Sequence, residues 1–272
     1  MISGFEPDML IYGLMLGLCA GALAGVLAGL AGVGGGLIYV PLFYAFLPTH
    51  GDGMALYIFA SMVAIVMTGF FSARAHWRLG HVDNKLFAAL LPGLIFGAGL
   101  GLWSTLRLPA EVILLALAAL DGWVARDYGR RVDAGREPRP SPRLFSAPIG
   151  YLSGALGIGG GTMLVPLLRR HAALRVAVGT SAACGFFMAA AAVSVNLLAE
   201  ADWQALLLAH WPSLAGLWLG IAVVLPFCSG WAARLHAGMG EDGLRIALRF
   251  VFIALACSLL LAAIVARYQA VA

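Results

Sequence analysis

The chain has 272 residues, 62% of them hydrophobic and only 11% charged, with a net charge of +4 and a mean hydropathy of +0.93. A soluble domain carries roughly 25% charged residues, so the composition excludes a soluble enzyme or binding module and indicates an all-α integral membrane protein. The basic residues lie in short loops between apolar runs, which excludes a nucleic-acid surface.

In chain order, the first apolar block runs over about 9–47 and is followed by apolar runs at about 54–72, 86–106 and 110–125. A polar, Arg- and Pro-rich stretch over 126–143 reads as a linker. A second apolar block covers about 144–168, with runs after it at about 176–199, 205–228 and 246–266. The chain therefore divides into a first repeat, 1–125, the linker, and a second repeat, 144–272. Each repeat reads as one broken segment plus three transmembrane helices. Cys19, Cys184, Cys228 and Cys257 all sit in apolar stretches without a CxxC pair, so they read as small buried hydrophobes and not as disulfides or metal ligands. The opening MISGFEPDML lacks the basic region of a cleaved signal peptide.

The broken segments carry the same signature. GLAGVGGGLIYVPL, Gly29–Leu42, recurs without a gap as GALGIGGGTMLVPL, Gly154–Leu167, shifted by 125 residues, and Gly25 with Gly150 extends the match. Consecutive glycines disfavour an α-helix by about 1 kcal/mol each relative to Ala. Each half thus breaks its backbone at hydrocarbon depth, which is tolerated only inside protein or beside a wet cavity. Paired Gly/Pro-interrupted segments in two halves point to the binding site of a secondary transporter. Weaker echoes are Ser61 and Ser181 downstream of each break, Val82-Asp83 with Ala201-Asp202, and the pairs Gly97/Gly101 and Gly216/Gly220, which read as helix-packing contacts.

Charge gives the expected topology. Loops around 74–85, 126–143, 169–175 and 230–249 hold 15 of the 17 Lys and Arg, leaving Arg107 and Arg267 on the other side. The positive-inside rule makes the first set cytoplasmic. That partition requires each glycine block to enter and leave on one side, as a re-entrant hairpin. The two halves then form inverted repeats with both termini outside, in a multi-pass protein of the cell inner membrane. Met9–Leu30 is long enough to cross alone, and a plain crossing there would place the N-terminus inside.

At this point the residues resemble a known family. The two glycine signatures, Gly179-Thr180-Ser181 and the stretch His76–Asp83 are similar to the sulfite/sulfonate exporter (TauE/SafE-like) membrane transporters, over nearly the whole chain. The resemblance implies export or permeation of a small sulfur-containing anion: sulfite, a sulfonate, sulfoacetate or thiosulfate. Ala60-Ser61 stands where the first half would match Thr180-Ser181.

The chemistry of the breaks runs parallel to that resemblance. Glycine turns expose successive backbone N–H groups as an anion nest, and the helix restarting after each turn adds its positive end. Candidate substrate contacts are Gly34, Gly35 and Gly36 with Ser61 in the first half, and Gly159, Gly160, Gly161, Thr162, Thr180 and Ser181 in the second. Positive φ is expected at Gly35 and Gly160. Each hydroxyl could instead bond a carbonyl of its own helix, and the glycines could serve only to let two hairpins cross closely. Pro41 and Pro166 kink or end the half-helices, and Cys184, one turn beyond Ser181, lies near the site. His76 and Arg78 read as topology determinants or as attractors of anions. Asp121 reads as solvated or paired with a loop arginine near the membrane surface, and Trp77, Trp103, Trp123, Trp203, Trp211 and Trp231 as an aromatic belt. No cofactor, metal or catalytic motif is present. Proton or sodium coupling and oligomeric state are left open. The alternatives are a passive channel for anions or small neutral solutes and a membrane enzyme, the latter lacking any HExxH, GxSxG or paired-acid constellation.

Overall fold

The computed structural model describes residues 7–31, 35–47, 53–128, 141–199, 201–238 and 241–271. All regular structure among them is helical: α1 (Pro7–Ala31), α2 (Gly36–Phe46), α3 (Gly53–Arg78), α4 (Asn84–Thr105), α5 (Ala110–Tyr128), α6 (Ser146–Leu156), α7 (Gly161–Leu168), α8 (Leu174–Ala199), α9 (Ala201–Ala209), α10 (Trp211–Gly238) and α11 (Glu241–Val271), with a short 3-10 turn over Pro142–Phe145 leading into α6. Among the described residues five stretches are long and apolar enough to cross a membrane: Pro7–Ala28, Gly53–Arg78, Asn84–Thr105, Leu174–Leu198 and Trp211–Ser229. The chain is a multi-pass membrane protein.

The helix ends follow the repeated signature. α1 ends at Ala31 and α2 restarts at Gly36; α6 ends at Leu156 and α7 restarts at Gly161, each 125 residues further on. α1 is the longer partner, a continuous 25-residue helix against 11 residues for α6. α2 then turns back along α1. The Tyr12 hydroxyl near the start of α1 donates to the Phe46 carbonyl at the end of α2, 2.6 Å away, while a methyl on Gly35 at the start of α2 would touch Ala24.

Two differences from the sequence reading concern helix limits. The run expected over 205–228 is divided: α9 ends at Ala209 and α10 begins at Trp211, with Pro212 in its first turn, where a missing N–H costs nothing. α5 continues to Tyr128, so the first residues assigned to the linker are helical; 129–140 lie outside the described residues.

Small residues dictate how the spans pack. On α1, Gly13, Gly17, Gly21 and Gly25 recur every fourth residue and sit on the α10 backbone at Ser213, Leu217, Ile221 and the Leu225–Cys228 turn. On α10, Gly216 and Gly220 sit on Leu10 and Leu14. The residue numbers rise together, so α1 and α10 run parallel with backbones in contact, the small-residue packing of helices in lipid. α4 and α6 repeat the arrangement. Gly97 and Gly101 meet Ala147, Tyr151 and Ala155, while Gly150 and Gly154 meet Leu94 and Ala98. The packing role expected for Gly97, Gly101, Gly216 and Gly220 is therefore what the structure shows. Between these pairs, α3 lies on α8 and α5 on α11. α3 and α8 are antiparallel: Gly69 meets Phe186, and further along α3 Trp77 meets Phe187, while the loop after it reaches back to Gly179 and Thr180.

Candidate functional site

The two breaks touch. A Cβ on Gly36 would fall on the Gly157 carbonyl and lie 2.5 Å from Cα of Ile158. Glycine is required there because two backbones from opposite halves meet with no side chain between them. The contact also opposes dipole ends, the N-terminus of α2 against the last carbonyls of α6, a favourable pairing.

The second break is built in two steps. α6 stops at Gly157, whose φ of 64° is the left-handed cap that glycine adopts without strain. The Ile158 N–H donates back to the Ser153 carbonyl at 3.2 Å. Gly159, at φ 70°, turns the chain again, and α7 starts with no side chain capping it. Gly160 is right-handed at φ −61°, against the positive φ expected there. The left-handed position that it matches in the first half is Gly35, at φ 79°. The surroundings of each break, and not the signature alone, settle which glycine takes the turn.

α3 and α8 grip this second break from opposite sides. From α3, Ile58 lies against Gly157 and Ile65 against Gly159. Between them Ser61 donates its hydroxyl to the Gly157 carbonyl at 2.6 Å. Ser61 is therefore committed to a carbonyl of the other half. From α8, Met188 lies near Gly160, and Gly185 faces the start of α7. A Cβ on Gly185 would sit 3.7 Å from the Gly160 nitrogen and 3.9 Å from the Gly161 nitrogen. Gly185 thus leaves space beside two backbone nitrogens at an uncapped helix start. It is one helical turn beyond Ser181, a spacing that would have flagged it in the sequence.

Thr162 and Ser181 are fully buried, and their hydroxyls have no hydrogen-bond partner among the described residues; the Ser153 hydroxyl is in the same state. Unpartnered buried hydroxyls are uncommon in native proteins and ask for a ligand or water. Ser181 is set on the α8 face of Gly185 and Met188 by helical spacing. Thr180 is not: its hydroxyl accepts from the Asp83 N–H at 2.9 Å, at the loop between α3 and α4, where Gly179 packs on His81. Asp83 in turn caps α4 by accepting from Lys85 and Leu86 N–H. Thr180 holds this loop to α8. Of the first-half glycines, Gly35 and Gly36 are buried at the contact between breaks, and Gly34 lies outside the described residues. Cys184 is buried on α8 next to Gly185.

Three other expectations are corrected or sharpened. Trp203 is fully buried, against a belt position: its ring stacks on Phe59 at 4.8 Å and its N–H donates to Asn196 at 3.3 Å. Trp77, Trp103, Trp123, Trp211 and Trp231 are exposed, as a belt requires. Asp121 is buried and its carboxylate has no partner among the described residues, so solvation does not account for it; the linker arginines Arg130, Arg131, Arg136 and Arg139 lie outside the described residues. The acid that does meet arginine is Asp127, which pairs with Arg169 at 2.7 Å and Arg170 at 3.3 Å, joining the end of α5 to the end of α7.

An uncapped helix start beside unpartnered hydroxyls, with Ile65, Leu164 and Met188 packed around it, can hold an oxyanion through neutral donors. Among known proteins, the family described as Sulfite exporter TauE/SafE matches residues 17–259. The chain belongs to this family, whose members are membrane transporters and not enzymes. A probable membrane transporter protein of Haemophilus influenzae is 31% identical over 172 residues, covering 58% of this chain and 64% of that protein, just under two thirds of the relative's length. No solved structure matches the chain.

Proposed function

We propose that this protein is a secondary transporter, an exporter or permease of the cell inner membrane, for small sulfur-containing anions such as sulfite, sulfonates, sulfoacetate or thiosulfate, and that it binds them at the second glycine break. The observation that carries the reading is the uncapped start of α7 at Gly160–Gly161, next to the space at Gly185 and the unpartnered hydroxyls of Thr162 and Ser181. Backbone N–H groups and hydroxyls at a positive helix end are the donors an oxyanion needs. Without a fixed cation, the anion is held weakly enough to leave. The first break acts as the wall: Gly36 supports Gly157 from one side while Ser61 fixes its carbonyl from the other.

Inverted repeats are part of the same proposal. The parallel pair α1 and α10 has its counterpart in α6 and α4, and the packing of α3 on α8 and of α5 on α11 sets each helix against its equivalent in the other half. The return of α2 along α1 supports a re-entrant hairpin in the first half.

The test is binding of sulfite, thiosulfate and sulfoacetate to purified full-length protein, with Gly185→Ala as the decisive variant. The added methyl meets nothing closer than 3.7 Å, so the variant should fold. It covers the two nitrogens, and losing one hydrogen bond to a charged ligand weakens binding roughly 10- to 150-fold. Wild-type affinity in a folded Gly185→Ala protein would place the site elsewhere. Uptake against a gradient in proteoliposomes separates a transporter from a passive channel.

A further inference from the structure

Opposite the breaks, at the Arg78 end of α3, a groove of about 360 Å³ opens between α3 and α8. Its walls are Phe70 and Trp77 from α3 and Phe186 and Phe187 from α8, and its mouth carries Arg74 and Arg78. The rings form a continuous cluster: Phe70 on Phe186 at 5.8 Å, Phe186 on Phe187 at 4.9 Å, and Trp77 on Phe187 at 6.3 Å. Gly69 allows this by letting the α3 backbone approach Phe186. Phe70, Trp77 and Phe187 remain substantially exposed, at 47%, 39% and 39%.

Two facts separate the groove from the anion site. At about 100° per residue, Phe70, Arg74 and Trp77 lie roughly opposite Ser61 on α3, and Phe186 and Phe187 lie well away from Ser181 and Gly185 on α8. The groove therefore opens outward, toward the bilayer. Its arginines are one helical turn apart and exposed, and neither has an ion pair or hydrogen bond among the described residues. Among the described residues no carboxylate lines the groove.

We propose that this groove binds an anionic phospholipid, with the phosphodiester on Arg74 and Arg78 and the start of an acyl chain along the aromatic wall. Guanidinium groups bind phosphate oxygens through paired N–H donors. Basic pockets between transmembrane helices on the cytoplasmic side recognise anionic headgroups, and the basic loop at this end of α3 faces that leaflet by the positive-inside rule. A free anion would use the arginines but not the rings; a neutral lipid would use the rings but not the arginines. The combination selects a molecule with both parts. The site occupies the junction where α3 turns toward α4 and rests on α8, so the lipid would brace the two helices that grip the second break.

Native mass spectrometry of the full-length protein titrated with phosphatidylglycerol, and with phosphatidylcholine of the same chains, tests this. Each guanidinium near an anionic group is worth about a 5-fold change in affinity, so Arg74→Gln with Arg78→Gln should weaken phosphatidylglycerol binding about 25-fold and leave phosphatidylcholine unchanged. Either single variant should give about 5-fold, and Arg74→Lys with Arg78→Lys should recover much of the loss. Phe187→Ala should weaken both lipids. Unchanged phosphatidylglycerol affinity in the folded double variant, or in both single variants, overturns the proposal. So does displacement of the lipid by inorganic phosphate at equal concentration, which would make this a free-anion site.

Discussion

At the first glycine break Gly35 takes the left-handed turn and Gly36 is pressed against backbone from the other half. At the second break Gly157 and Gly159 take left-handed turns, Gly160 is right-handed, and the start of α7 faces the empty side of Gly185. The flanks differ as well. α7 is tied to α5 through Asp127 and the arginine pair at 169 and 170. α2 is separated from α11 by an apolar groove of about 660 Å³ between residues such as Leu27, Ile38, Leu42 and Leu255. A repeated signature thus specifies that helix is interrupted twice, between α1 and α2 and between α6 and α7. What each interruption does depends on what stands opposite: backbone at the first, a gap with unpartnered hydroxyls at the second. The difference predicts that the halves fail in different ways when mutated.

The largest effect should come from the tie between α5 and α7. Arg169 is 8% exposed and Asp127 5% exposed, so Asp127→Asn removes a carboxylate that pairs with a buried guanidinium. Breaking one side of a buried pair costs about 3–5 kcal/mol. The Asp127 backbone carbonyl, which also accepts from Arg169, places the expected loss near about 3 kcal/mol. Thermal unfolding in detergent should show a large fall in Tm. Arg170→Gln should show little, since that side chain is 39% exposed and its pairing is screened. Equal effects from the two would mean that Asp127 does not clasp α7 through Arg169.

Next comes the contact between breaks. Gly36→Ala puts a methyl on the Gly157 carbonyl, with backbone on both sides and nothing able to yield cheaply. A loss of about 1–3 kcal/mol is expected, the usual range for overpacking. Gly160→Ala adds its methyl 3.0 Å from the end of Leu164 and 3.5 Å from the end of Met188, both flexible, on a backbone that accepts alanine. It should cost less than about 1 kcal/mol. A Gly160→Ala protein as unstable as Gly36→Ala would show that the breaks are equivalent after all.

Much of this was legible in the sequence. The gap-free repeat placed both helix breaks, because consecutive glycines disfavour helix wherever they occur, and the apolar runs located α3, α4, α5 and α8. The asymmetry was not legible. Gly35 and Gly160 match in the alignment, yet only Gly35 is left-handed, because each turn is set by the neighbouring elements. Thr180 and Ser181 are adjacent in sequence, but successive helical residues point about 100° apart. One holds the Asp83 N–H and the other lies on the α8 face of Gly185. Trp203 looked like a surface aromatic because it sits near a span end; its partners, Phe59 and Asn196, are on α3 and α8. Pairings between distant segments, such as Asp127 with Arg169, leave no local pattern to find.

The finest test of the comparison uses the two serines that follow the breaks. Both are fully buried, but Ser61 donates to Gly157 while Ser181 has no partner among the described residues. Ser61→Ala leaves a buried carbonyl unsatisfied and should lower stability by about 1–2 kcal/mol. It should change anion affinity little, because its proton is already committed. Ser181→Ala removes a desolvated hydroxyl that bonds nothing in the protein, so Tm should hold or rise slightly. If the anion accepts from that hydroxyl, affinity should fall about 10-fold. The two variants therefore predict a crossed result, stability lost in one and binding in the other, read from melting and sulfite titration on the same preparations. The reverse pattern would put the ligand at Ser61 and make Ser181 structural. A loss of both properties in both variants would mean that the serines act through one shared scaffold, with no division between a supporting break and a binding break.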